Sequence, residues 1–201
     1  FADPLALRAR PTIGTCRTST RLTLTSGVHV LEPGVYCGGI EIGGTASVTF
    51  SAGIYVMRGA KLIVKDDAQI SGRYVGFYFL NQNSGFEFVD RSIIDLGAPK
   101  DGAMASILFW KDSASNGGHT YVISTNHARM LLGTVYLPGG HIRIASSMPV
   151  ADNSPWTAII AERVNVYNRS RVVLNTDYGK TDVPVPVTFT DERNKKIYLS
   201  Q

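Results

Sequence analysis

Three aspartates stand where two apolar runs end, and they are the residues of this chain that most resemble a catalytic pair. Asp66 and Asp67 follow the run at 62–64, and Asp90 follows the run at 86–89. If these runs are equivalent strands of successive coils, we expect Asp66 or Asp67 to lie one rung from Asp90. Adjacent carboxylates repel, which raises the pKa of one of them or attracts a cation such as Ca²⁺. Polysaccharide-cleaving β-helix enzymes use such acidic clusters for general acid–base chemistry. The alternative is a set of solvated turn formers.

A row of aromatic side chains is the second candidate site. It recurs at one position of successive units and consists of Tyr36, Tyr55, Tyr78, Phe109 and Tyr136. Successive side chains of a strand point to opposite faces, and the residues that flank this row are mostly aliphatic. The flanking set makes the better core, so the aromatic row is predicted to point outward, where it can stack on sugar rings or bind a partner. Alternatively, the C-terminal tail at 177–201 covers the row, since large exposed apolar patches are uncommon on monomers.

The two cysteines, Cys16 and Cys37, lie on either side of the first repeat unit. Their spacing resembles no zinc motif, because such a site needs further Cys or His ligands close by. A disulfide that closes a loop of about 20 residues stabilises by roughly 3 kcal/mol in the loop-entropy model. The sequence favours this disulfide and an oxidising compartment over a pair of buried thiols in a cytosolic protein.

Other catalytic patterns are missing from the sequence. The four histidines at 29, 119, 127 and 141 share no metal-ligand spacing, and no nucleophile elbow, phosphate loop or Cys–His pair occurs. We therefore expect a protein that is not an enzyme and holds no cofactor, with Ca²⁺ at the aspartates as the exception to test.

The elements that position these residues follow from an internal repeat. Gly34 recurs as Gly53, an offset of 19 residues, and Gly39 recurs as Gly59, an offset of 20. Units of about 20 residues, each with three short apolar runs, indicate a stacked solenoid. We predict an all-β, parallel β-helix of about six three-strand coils, right-handed because parallel crossovers nearly always are. A β-sandwich competes as an all-β fold, but it has no reason to reuse one motif at a coil-length period.

The chain is predicted to form a single domain with three parts. Residues 1–20 are expected to cap the open first coil, residues 21–175 to form the coils, and residues 176–201 to form an extended tail. Solenoids need such caps because their end coils are otherwise uncovered. The tail contains Pro184 and Pro186, whose rings favour an extended backbone.

Composition excludes several classes of function. The 201 residues are 44% hydrophobic and 18% charged, which is ordinary for a globular protein. The net charge is +4, but the 20 Lys and Arg are scattered, whereas a nucleic-acid-binding protein shows a basic patch. No run approaches the roughly 18 to 20 apolar residues of a membrane span. The chain begins at Phe1 without an initiator Met, so we expect a processed or excised segment.

Several strings of this sequence resemble the C-terminal region of TadG-like proteins, a family associated with tight-adherence (Flp-type) pilus assembly in Gram-negative bacteria. The most specific is Pro33-Gly-Val-Tyr-Cys-Gly-Gly39, and Gly53-Ile-Tyr-Val-Met-Arg-Gly59 and Asp182-Val-Pro-Val-Pro186 support it. The resemblance spans roughly residue 16 to the end. It implies a setting at the cell envelope or outside the cell, and it carries over no catalytic residues. Members of the family typically have an N-terminal membrane anchor, so the resemblance implies that this chain is an excised domain or a processed form.

Together these observations predict a non-enzymatic structural and adhesive module in the periplasm, on the cell surface or outside the cell. Its expected partners are pilus or cell-envelope proteins, further copies of itself, or glycans, and not nucleic acid. The alternative is a carbohydrate-active β-helix that binds or cleaves polysaccharide.

Overall fold

A computed structural model describes residues 3–114 and 119–186, together with the backbone of 190–191 and 196–197. The structure is almost entirely β. Its strands are β1 (Cys16–Thr18), β2 (Leu22–Leu24), β3 (Val28–Leu31), β4 (Gly34–Tyr36), β5 (Ile40–Ile42), β6 (Ser47–Phe50), β7 (Gly53–Met57), β8 (Leu62–Val64), β9 (Gln69–Gly72), β10 (Val75–Phe79), β11 (Phe86–Phe88), β12 (Ile93–Gly97), β13 (Ile107–Lys111), β14 (Thr120–Ile123), β15 (His127–Ile144), β16 (Thr157–Val166), β17 (Thr190–Asp191) and β18 (Lys196–Ile197). The described helix is a 3-10 turn at Tyr178–Lys180.

Strands of successive coils pair in parallel and build three ladders. The first ladder contains β1, β4, β7, β10, β13, β15 and β16. The second ladder contains β2, β5, β8, β11, β14, β15 and β16. The third ladder contains β3, β6, β9, β12 and β15. The long strand β15 passes through all three ladders. The predicted parallel β-helix is confirmed, with about seven turns where the sequence predicted about six.

The core lies inside the coils because inward and outward side chains alternate along each strand. In β11, Phe86 and Phe88 are fully buried while Glu87 between them is half-buried. Phe86 pairs with Leu62 of the coil before, so that apolar side chains stack on one another along the helix axis. Equivalent residues of parallel strands lie about 4.8 Å apart, which makes each stack a continuous apolar column.

The N-terminal segment, defined here as residues 3–14, lies along the outward face of the first ladder. Leu5 is 4% exposed, in one buried cluster with Tyr78, Trp110 and Tyr136. Residues 16–18 then form β1, which pairs with β4 as part of the first coil. The described part of the predicted cap therefore covers a flank and does not close the end of the first coil. In this position Leu5 packs against three aromatic rings, and the removal of this apolar area from water stabilises the placement.

The start of the C-terminal tail runs back along the corner between the third and first ladders. Tyr178 packs against Trp156 with ring centres 6.0 Å apart, and the Trp156 indole donates a hydrogen bond to the Val183 carbonyl at 3.2 Å. Val183 is buried and Val185 packs against the same core. The described part of the tail thus covers this corner and not the aromatic row. The rest of the predicted cover, residues 187–201, lies outside the residues whose side chains the structure describes.

Within residues 3–114 and 119–186, no helix has the length and apolar character that a membrane crossing needs.

Candidate functional site

Asp66 and Asp90 occupy the same turn of successive coils, one rung apart as predicted. Both have left-handed backbone, with φ of 57° and 58°, and Gly44 occupies the equivalent position with φ of 55°. Oδ2 of Asp66 accepts a hydrogen bond from the Gly44 amide at 2.8 Å. Oδ2 of Asp90 accepts one from the Asp66 amide at 3.2 Å. Each carboxylate therefore fastens its own turn to the turn of the preceding coil.

Asp67 points to another partner. Its two carboxylate oxygens accept hydrogen bonds from Nε and an Nη of Arg91, each at 2.5 Å. The hydrogen bond from the Arg91 guanidinium lowers the pKa of the Asp67 carboxyl. A general acid needs a raised pKa, so Asp67 is tuned in the opposite direction.

The three aspartates do not converge on a common point. Asp66 and Asp90 each bond an amide of the preceding turn, while Asp67 bonds a side chain. Among the described residues, no group of three or more His, Cys, Asp or Glu side chains gathers as metal ligands would. The three aspartates form hydrogen bonds between neighbouring coils, so their arrangement is that of structural residues.

The aromatic row does not exist as predicted. Gly53 pairs with Val75, an offset of 22 residues, so Tyr55 pairs with Phe77 and not with Tyr78. A register shift in β13 likewise places Tyr136 opposite Trp110. The five predicted residues therefore divide between two columns on opposite faces of the first ladder. All five are buried, with exposed fractions between 0% and 2%. The prediction of an outward row that is open to a ligand is wrong.

The inward column of the first ladder contains Tyr36, Tyr55, Phe77 and Phe109. Consecutive ring centres lie 6.0, 5.4 and 5.7 Å apart. The Tyr36 hydroxyl donates to the Glu32 carbonyl at 2.6 Å, so its polar end is satisfied inside the coil. Burial raises the pKa of Tyr55 and, to a lesser extent, that of Tyr36. The column is a stacked aromatic core.

The outward column is a second, separate stack. Along the helix axis its members are Val35, Val56, Tyr78, Trp110, Tyr136 and Ile160. The ring centres of Trp110 lie 5.5 Å from those of Tyr78 and 5.7 Å from those of Tyr136. An outward aromatic stack is thus present, but of the predicted residues it contains only Tyr78 and Tyr136, and it is covered.

Polar contacts hold the N-terminal segment over this column. Arg8 donates to the carbonyls of Ala103 and Ala105 at 3.0 and 3.1 Å. The Tyr136 hydroxyl donates to the Asp3 carboxylate at 2.6 Å. Burial, assisted by this bond, raises the pKa of Tyr136. The cover that the sequence assigned to the C-terminal tail is provided by the other end of the chain.

The predicted disulfide is confirmed. Cys16 of β1 is bonded to Cys37, just after β4, with Cα atoms 5.7 Å apart. The bond fastens the first coil to the second at the point where the N-terminal segment enters the helix. It therefore anchors one end of the segment that covers the outward column.

A cleft of about 450 Å³ opens beside the C-terminal tail, lined in part by Arg73, Tyr74, Met130, Lys180 and Asp182. Tyr74 has φ of 60°, a conformation that is strained for a bulky residue. The Tyr74 hydroxyl donates a hydrogen bond to the Asp182 carboxylate at 2.9 Å, and this bond raises the pKa of Tyr74. Sequence reasoning missed this site, because only a glycine or asparagine at 74 would have signalled a left-handed backbone.

Comparison of the chain with protein-family models, with curated proteins and with solved structures finds no match.

Proposed function

We propose that the protein is a non-enzymatic structural and adhesive module that acts in the periplasm, on the cell surface or outside the cell. One observation carries the structural half of this proposal. Asp66 and Asp90, the residues best placed for acid–base chemistry, use their carboxylates to join the turns of adjacent coils. The Cys16–Cys37 disulfide supports an oxidising compartment.

The pilus setting rests on the sequence. The string Pro33-Gly-Val-Tyr-Cys-Gly-Gly39 resembles TadG-like proteins, and we extend their association with tight-adherence pili to this chain as a proposal. The comparisons add no support to it. Deletion of the gene is expected to reduce surface attachment of the source cells, and re-expression to restore it. Unchanged attachment would contradict the adhesive role.

The non-enzymatic reading is tested with purified protein on a panel of bacterial and plant polysaccharides, with release of reducing sugar as the measurement. We expect no release from the unaltered chain. Sugar release that disappears in Asp90→Asn, while Asp95→Asn retains it, would overturn the proposal. Asp95 is a suitable control because its carboxylate pairs with Arg73 at 2.8 Å, away from the aspartate turns.

Polysaccharide binding is the second candidate function, and the cleft beside Tyr74 favours it. An aromatic ring next to polar and cationic groups is a common way to hold a sugar, and the strained backbone at Tyr74 marks a position that the surroundings enforce. A glycan array tests this reading. Signals that Tyr74→Ala removes and Tyr167→Ala, at a ring that is 46% exposed and does not line the cleft, retains would assign glycan binding to the cleft, and an empty array would exclude it for the sugars tested.

A further inference from the structure

The helix ends in an open edge at β16. In the part of the chain that the structure describes, β15 is the only named strand that pairs with β16, although Thr157 at the start of β16 donates its amide to the Asn175 carbonyl of the tail at 3.3 Å, so the open part of the edge is its second-ladder half. Val164 and Val166 stack on Ile142 and Ile144, which are fully buried inward residues. Val164 and Val166 are nevertheless 44% and 46% exposed, because no further coil among the described residues covers them. The apolar interior of the second ladder therefore reaches solvent at this end.

The inward positions of β16 carry no guard against pairing at this edge. A long edge strand presents a row of unpaired amides and carbonyls, and proteins usually guard it with proline or with inward-pointing charges. The ten residues of β16 contain no proline, and their inward positions on the second ladder are valines. The end has the properties of a strand-pairing surface.

The opposite end presents the complementary edge. β2 pairs with β5 alone among the described strands. The Leu22 amide donates to Gly39 at 3.1 Å and the Leu24 carbonyl accepts from Gly43 at 2.8 Å, so both point toward β5. Backbone groups alternate in direction along a strand, which leaves those of Thr23 facing the free edge. Leu22 and Leu24 are only partly buried.

We propose that the β16 edge binds the first coil of a second copy of this chain, and that copies assemble head to tail. In this arrangement Leu22 of the incoming copy stacks on Val164 and Leu24 stacks on Val166. The inward column of the second ladder begins at Leu22, which pairs with Ile40, and ends at Val164, which pairs with Ile142. Stacking Leu22 of one copy on Val164 of another therefore continues this column across the junction. The contact joins different surfaces of the two copies and stacks them along the helix axis, so copies add in a line and produce a filament and not a closed ring.

The charges at the junction set its salt dependence. Arg163 comes directly before Val164, and Arg21 comes directly before Leu22. The two arginines of neighbouring copies therefore stand next to each other, although Arg21 is also paired with Glu41 at 2.9 Å. Because salt screens like charges, we expect assembly to strengthen as ionic strength rises.

Two variants that block opposite ends test the proposal. Val164→Lys places an ammonium over the open end while its aliphatic stem still covers Ile142. Thr23→Pro removes the amide that faces the free edge of β2, at a position where proline is tolerated. Sedimentation velocity over a concentration series should show filaments for the unaltered chain. Each variant alone should lose association by about tenfold or more, and an equimolar mixture should form dimers that do not extend.

Controls separate this outcome from misfolding. Ile93→Lys also replaces an aliphatic side chain by lysine, at a residue of β12 that is 44% exposed and lies in the middle of the helix. The protein with this substitution should assemble normally. Arg163→Glu places a carboxylate beside Arg21 of the next copy and should strengthen assembly at low salt without altering the core. Circular dichroism confirms that each variant is folded.

Three results would overturn the proposal. The first is an unaltered chain that stays monomeric at high concentration and high salt, since the end is then closed. The second is a Thr23→Pro variant that still dimerises while Val164→Lys does not, because two β16 edges then pair with each other. The third is a folded Arg163→Glu variant that assembles no better at low salt. Assembly serves the structural role proposed above but does not depend on it, since attachment and sugar release are measured separately.

Discussion

The two aromatic columns of the first ladder are buried to the same extent, but different parts of the chain bury them. Phe109 of the inward column is fully buried, and its ring centre lies 4.5 Å from that of Phe86. The coils themselves therefore enclose it. Trp110 of the outward column is 4% exposed because residues 3–14 lie over it. The repeat thus determines which side chains stack, while a segment outside the repeat determines which stack meets solvent.

The largest effect is expected from the inward column. Phe109→Ala leaves a cavity between Phe77 and Phe86 that the stacked coils have little freedom to fill, so the free energy of unfolding should fall by about 3–5 kcal/mol. Denaturant unfolding measures this change. Val30→Ala, at a side chain that is 62% exposed, serves as the control and should change stability by less than about 0.5 kcal/mol. A loss below about 1 kcal/mol for Phe109→Ala would show that the column is not rigid core.

A smaller effect is expected from the cover of the outward column. Leu5 is 4% exposed and Leu7, two residues further, is fully exposed. Leu5→Asp should lower stability by roughly 1.5–3 kcal/mol and increase binding of a hydrophobic dye, because the N-terminal segment detaches from Tyr78 and Trp110. Leu7→Asp should change neither quantity. Equal effects of the two substitutions would contradict the assigned cover.

The smallest effect concerns the bond between Tyr136 and Asp3. Tyr136→Phe removes a hydrogen bond to a charged group and should lower stability by about 1.5 kcal/mol near neutral pH. Folding raises the pKa of Tyr136, so its contribution is complete below the unfolded pKa of about 10 and is lost as the pH rises above it. Denaturant unfolding of both proteins at neutral and alkaline pH should therefore show a difference that narrows at alkaline pH. A difference in the free energy of unfolding that stays the same at neutral and alkaline pH would contradict the assignment of a stabilising hydrogen bond to the Tyr136 hydroxyl.

Part of the fold could be predicted from the sequence because the signals are local and repeated. The recurrence of Gly34 as Gly53 indicated the coil, although in the structure Gly34 pairs with Tyr55, an offset of 21 residues. The parallel β-helix, the Cys16–Cys37 disulfide and the one-rung spacing of Asp66 and Asp90 are confirmed. Each of these depends on a pattern that stacking reproduces from coil to coil.

The rest depended on exceptions to the repeat. Tyr55 pairs with Phe77 at an offset of 22 residues, whereas the predicted row placed Tyr78, 23 residues on, at this position. Because side chains alternate with a period of two, this difference of one residue moves an aromatic side chain to the opposite face. Tyr78 was therefore assigned to the wrong column. The cover at Leu5 was missed for a related reason: residues 3–14 carry no periodicity, so nothing in the sequence relates them to β10, β13 and β15.

The accessibility of Trp110 tests the central claim most directly, namely that the N-terminal segment closes the outward aromatic column. The chain contains two tryptophans, so Trp156→Phe leaves Trp110 as the single tryptophan, which is excited selectively at wavelengths where tyrosine does not absorb. Acrylamide should quench its emission weakly in the complete chain and strongly after removal of residues 1–14, with an accompanying shift of the emission to longer wavelength. Strong quenching in the complete chain, or no change after the removal, would contradict the account and leave the outward column open as a binding surface.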